Sequence, residues 1–99
     1  MDIKIQTIHF DASQQLEDFI QKKVAKLDKY HDAILSTEVV LKVVKPETAN
    51  NKNASIKLSV SGQEFFVEKT SNTFEESIAD GVEAIEKQII KFKEKQRNK

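Results

Sequence analysis

The chain has no cysteine and no tryptophan, and its 99 residues include only two glycines and one proline. Without cysteine there is no disulfide framework and no thiolate metal site, which agrees with a reducing compartment and makes the cytoplasm the expected location. Two isolated glycines make no glycine-rich phosphate loop. An excess of charge of either sign is also missing: 16 Lys and Arg stand against 16 Asp and Glu. Taken alone, that balance argues against a nucleic-acid binder, whose domain is usually basic. No stretch approaches the roughly 18 apolar residues of a membrane span, and residues 1–10 alternate without the basic start and apolar core of a signal peptide. Neither a membrane partner nor a small-molecule substrate is expected.

What is present is globular composition, 38% hydrophobic and 32% charged. A chain of this size buries about 60–65% of its unfolded surface and forms one modest core, so a deep catalytic cavity is not expected. One domain over residues 1–96 is predicted, followed by a short basic tail at 97–99.

Apolar spacing gives the elements. Ile3, Ile5 and Thr7 alternate with Lys4 and Gln6, the pattern of a half-buried strand. Asp11 or Ser13 then offers an N-cap, and Leu16, Phe19, Ile20, Val24, Leu27 and Tyr30 predict an amphipathic helix over about residues 13–30. Val39, Leu41 and Val43 alternate with Val40, Lys42 and Val44 up to Pro46, which lacks an N–H and closes a second strand. After a polar loop, Ala54, Ile56, Leu58 and Val60 alternate with Ser55, Lys57 and Ser59, and Ser61-Gly62-Gln63 turns the chain into a hairpin partner over 64–70. Residues 70–73 supply caps for a second helix, with Glu75 and Glu76 where the dipole favours acids. Its stripe is Phe74, Ile78, Val82, Ile85, Ile89 and Phe92.

The order β-α-β-β-β-α predicts an α+β fold. A right-handed crossover makes the first two strands parallel and the later strands join by antiparallel connections. The result is a four-stranded sheet with two roughly parallel helices on one face. The opposite face, with Ser55, Lys57, Ser59 and Glu68, stays wet.

The neutral total hides a segregated molecule. Residues 22–29 hold four lysines against Asp28, residues 64–86 hold seven acids against Lys69, and residues 87–99 hold six basic residues against Glu94. On a helical projection Lys22, Lys26 and Lys29 share one flank of the first helix, with Glu17, Asp28 and Asp32 on the other. Lys87, Lys91 and Lys95 form an i, i+4, i+8 row on the second helix, with Glu83 and Glu86 turned away. Lys23 projects inside the first helix's apolar stripe and must snorkel toward the groove between the helices. Lysine rows are commonly solvated decoration, and bases in a last turn answer the dipole alone. Two rows and a misplaced Lys23 converging on one groove instead suit phosphates.

Catalytic signals are absent. His9 and His31 stand at a strand end and a helix end with no second ligand or nucleophile at useful spacing, and His31 reads as a partner for the helix dipole. The phenylalanines fall on core stripes, except Phe66, which points away from Phe65 and Val67. No enzyme, cofactor or metal is expected.

Three segments carry a resemblance. DASQQLEDFIQKKVAKLDKYHDAI (11–34), with Lys26, Leu27, Lys29, Tyr30, Asp32 and Ile34 in order, EVVLKVVK (38–45) and TFEESIADGVEAIEKQIIKFKEK (73–95) together resemble the ribosome hibernation-promoting factors, or ribosome-associated translation inhibitors, in their short form. The resemblance covers essentially the whole chain. It implies the topology above, a layout like that of double-stranded-RNA-binding domains. It also implies a non-enzymatic inhibitor that docks on the small ribosomal subunit near the decoding centre and blocks mRNA and tRNA. By carry-over Lys23, Lys26, Lys29, Lys87 and Lys91 contact ribosomal RNA, and Lys22 and Lys95 extend their rows. Family members often carry a basic residue where Ala84 and Ile90 stand, and an Asp where Ala79 stands. The dimerising domain of long family members does not follow within these 99 residues, so pairing of ribosomes would need a separate dimerising factor. A second reading is a protein-interaction module of the same fold that uses the acidic run Glu64 to Glu86 and does not bind ribosomes.

Overall fold

The computed structural model describes residues 2–31, 33–45 and 49–97. Strand β1 (Asp2–Ile8) leads to helix α1 (Gln14–Ala25), which tightens into a 3₁₀ turn (Lys26–Lys29). Strands β2 (Ile34–Val43), β3 (Lys52–Val60) and β4 (Gln63–Ser71) follow, and helix α2 (Phe74–Arg97) closes the chain. Asp32, Pro46 and the tail residues Asn98 and Lys99, all invoked above, lie outside the described residues.

The sheet order is β1-β2-β3-β4. β1 pairs parallel with β2, and the other two pairings are antiparallel. Following these directions, both helices run back against the strands they follow and lie parallel. A bulge between Ile34 and Ser36 leaves Leu35 without a register partner. The β3–β4 turn needs two residues, and Gly62 takes a φ of 81° that a side chain would resist.

Alternation decides which face is covered. Val39, Leu41, Ile56 and Leu58 are fully buried beneath Ile20, Val24 and Leu27 of the first helical segment and Ile78, Ile85 and Ile89 of α2. The outer face carries Glu38 paired with Lys57 at 3.3 Å, and Phe66, 56% exposed, opposite Lys57 on β4.

Candidate functional site

Each helix is fixed at its start by a side chain. The Ser13 hydroxyl accepts from the Leu16 N–H at 3.1 Å, making Ser13 rather than Asp11 the cap of α1. Thr73 does the same for α2, accepting from Glu76 N–H at 3.1 Å. One turn later the buried Ser77 donates its hydroxyl to the Lys52 carbonyl at 2.6 Å, tying α2 to the start of β3. At Gly81 a Cβ would lie 2.9 Å from Ile56 Cδ1, so the missing side chain lets α2 sit close on the sheet. Further on, Phe92 meets Phe65 of β4 edge to face, centroids 5.6 Å apart. Gln88 donates to the Phe66 carbonyl at 3.3 Å and occupies an acceptor on the outer edge of β4.

With both helices held on one face, an open groove forms between them. Lys23 and Lys26 line it from α1 and the following turn, and Ala79, Val82, Glu83, Glu86, Lys87 and Ile90 line it from α2. Lys23 is half-buried, and its ammonium lies 5.6 Å from the Phe19 ring centroid, within range of a cation–π contact. The groove thus brings together three of the lysines singled out from sequence.

It does not bring together the others. Glu83 and Glu86, expected to turn away, line the groove, and Glu83 pairs with Lys87 at 3.4 Å. Lys91 and Lys95 lie on the opposite flank of α2, beside Gln63, Phe65, Gln88 and Phe92. The reason is geometric. Two parallel helices side by side present opposite flanks to their common groove, so basic rows on like flanks cannot both face it. Lys26, with Lys23, faces α2, and the row on α2 crosses the crest at Lys87 and descends toward β4. The two positions lacking a base are also divided. Ile90 lines the groove, 43% exposed, whereas Ala84 lies on the β4 side beside Lys69, Asp80 and Lys87.

Lys22 lies on the solvent side of α1 with Gln15, Asp18 and Phe19. Lys29 is exposed in the 3₁₀ turn, where three residues per turn replace the 3.6 assumed in the projection. Sequence reasoning missed Lys69, although strand alternation puts it on the helix side with Phe65 and Val67. It also missed Ser77 and Gly81, whose small side chains widen the buried stripe.

His31 accepts from the Ala33 N–H through Nδ1 at 3.1 Å and so supports the chain after the 3₁₀ turn. Among the described residues no group of three or more His, Asp or Glu side chains is placed to hold a metal, and no helix is long and apolar enough to cross a membrane. The acids of 64–86 are dispersed. Glu64 and Glu68 alternate with the buried Phe65 and Val67, Glu75 and Glu76 open α2, Asp80 sits beside Lys69, and Glu83 and Glu86 enter the groove.

Comparison with known proteins agrees with this fold. Residues 3–97 match the family model described as Sigma 54 modulation protein / S30EA ribosomal protein. A ribosome hibernation promoting factor of Azotobacter vinelandii is 27% identical over 96 residues, covering 97% of this chain and 86% of that protein. One from Pseudomonas putida is 24% identical over 98 residues, covering 99% and 92%. The N-terminal domain of Thermus thermophilus Protein Y superposes with a TM-score of 0.81 at 27% identity, over 93% of this chain and 99% of that one. A ribosomal subunit interface protein from Coxiella burnetii shares the fold, with a TM-score of 0.84 at 18% identity over 94% and 98%.

Proposed function

We propose that this chain, which belongs to the Sigma 54 modulation protein / S30EA ribosomal protein family, is a ribosome hibernation factor that silences idle small subunits by occupying them. The observation that carries the reading is the groove in which Lys23, Lys26 and Lys87 converge from two helices. Several lysines on one open surface displace condensed counterions together, which favours a phosphate backbone over a compact ligand. The similarity to hibernation promoting factors along nearly the whole chain supports ribosomal RNA as the source of that backbone.

The mechanism needs no chemical step. Docked by its helix face near the decoding centre, a rigid domain fills the space that mRNA and tRNA require. Lys23, Lys26 and Lys87 form the centre of the contact, and Lys22, Lys29, Lys91 and Lys95 extend it. A neutral chain with a local basic surface is held less by other nucleic acids than a uniformly basic one. Its place of work is the cytoplasm, and its time is the arrest of growth, when ribosomes stand empty.

A competition experiment tests this reading. Vacant small subunits loaded with the protein should fail to take up labelled mRNA and peptidyl-site tRNA. The folded variant Lys23→Glu with Lys26→Glu should no longer prevent uptake. Simultaneous retention of protein, mRNA and tRNA by one subunit would contradict occlusion.

A further inference from the structure

We propose that the acids of the helix layer set the direction in which the domain lies on RNA, by excluding phosphates from the end where both helices begin. This rests on the ribosome-binding reading and adds to it what rejects RNA. Residues 14–21 of α1 and 74–86 of α2 together carry seven acids and no base. Residues 22–29 and 87–97, which complete the two helical segments, carry nine bases against Asp28 and Glu94.

The like-charged halves coincide because the helices are parallel and start together. Phe10, just before α1, stacks on Phe74, the first residue of α2, with ring centroids 5.0 Å apart. The boundary between the halves is oblique and crosses the groove, where Lys23 and Lys26 share the lining with Glu83 and Glu86. Two lysines of the sheet lie near the acidic end. Lys52 turns its ammonium to Asn51 at 2.7 Å, and Lys69 stands beside Asp80 at the margin of α2.

The helix dipole explains only part of this sorting. Its effect fades within the first and last turns, so it accounts for Glu75 and Glu76 but not for Asp80, Glu83 or Glu86. Folding gains nothing from the rest. Glu76 with Asp80, and Lys87 with Lys91 and Lys95, are like charges four residues apart, a spacing that costs stability where alternating signs would add it.

A polyanion along the helix layer is therefore attracted at one end and repelled at the other, and a reversed domain would set its acids on the phosphates. Such complementarity selects the pose more than it adds affinity. Residues 80 and 92, the midpoints of the two halves of α2, are about 18 Å apart along the axis. That exceeds the Debye length of about 8 Å at physiological salt, so neither end cancels the field of the other.

The absence of cysteine allows a direct test, since a single introduced cysteine can carry an iron chelate that cuts nearby RNA by hydroxyl radicals. Gln15→Cys marks the acidic end and Lys93→Cys the basic end, both at exposed positions. On vacant small subunits the probe at 93 should cut ribosomal RNA at least fivefold more than the probe at 15. Adding Glu75→Gln, Glu76→Gln and Asp80→Asn keeps side-chain size and removes three charges. Cutting from position 15 should then rise at least threefold, and affinity for a polyuridine oligomer should rise at least threefold. Circular dichroism and thermal melting report folding, and Glu75→Gln with Asp80→Asn should shift both readouts in the same direction if the triple variant is unstable. Equal cutting from the two positions in the otherwise wild-type protein overturns the proposal alone. So does an unchanged cutting ratio, or unchanged polyuridine affinity, in the folded neutralised variants. Absence of cutting from both positions, with no co-sedimentation, overturns it together with the ribosome-binding reading.

Discussion

Lys23 stands one turn from Phe19 on α1, its ammonium 5.6 Å from the centre of the ring. That relationship explains how a lysine projected inside an apolar stripe is accommodated. The stem packs beside the core, the charge meets the negative face of the ring, and the ammonium emerges at the rim of the groove.

Replacing Phe19 by Leu keeps apolar bulk but removes the ring face. Urea denaturation should show a loss of about 0.5–1 kcal/mol, the range of a partly exposed cation–π contact. Affinity for small subunits should fall severalfold as Lys23 loses its orientation. Wild-type affinity in this variant would mean that Lys23 acts independently of Phe19.

Gly81 separates helix propensity from packing. In Gly81→Ala the gain of about 1 kcal/mol in propensity opposes the displacement of Ile56, whose Cδ1 would lie 2.9 Å from the new Cβ. The expected net change is within about 1 kcal/mol, since the displaced atom is the end of a side chain. Gly81→Leu should cost about 2–3 kcal/mol, because overpacking then dominates. Chemical denaturation of both variants checks the contrast.

Ser77→Ala removes the hydroxyl that donates to the Lys52 carbonyl at 2.6 Å. A part-buried acceptor loses this partner, so a loss of about 1–2 kcal/mol is expected. Hydrogen exchange should quicken first at the start of α2, where the tie is made.

The elements were legible in the sequence because their apolar periods are clean. Ile20, Val24 and Leu27 repeat at helical spacing, Ile56 and Leu58 at strand spacing, and all five are fully buried. The lysine arrangement was legible only in part. A helical projection assigns each lysine to a flank of its own helix, but which flank meets the neighbour depends on sheet order and helix placement. Lys91 and Lys95 were therefore assigned to the groove and stand on the far side of α2. Glu83 and Glu86 were set apart from it and lie within it. Lys69 escaped notice because its partners, Ala84 and Lys87, are distant in sequence and meet it only after α2 folds back over β4.

The outer sheet face offers a control. Lys57 pairs with Glu38 at 3.3 Å on a half-exposed surface, an interaction worth about 0.2–1 kcal/mol. Lys57→Gln should cost no more than that and leave subunit binding unchanged, since Lys57 faces away from both helices. A weakened complex would place RNA on the wrong face of the sheet.

The most direct measurement is co-sedimentation of the wild-type protein with vacant small subunits across a salt titration, alongside Lys23→Glu with Lys26→Glu. The expected result is saturable binding at low salt that weakens along a straight log–log line. The variant should bind at least tenfold more weakly, with a shallower slope. Absence of wild-type binding at low salt, or binding indifferent to both salt and the two lysines, would contradict a ribosome-silencing role carried by this groove.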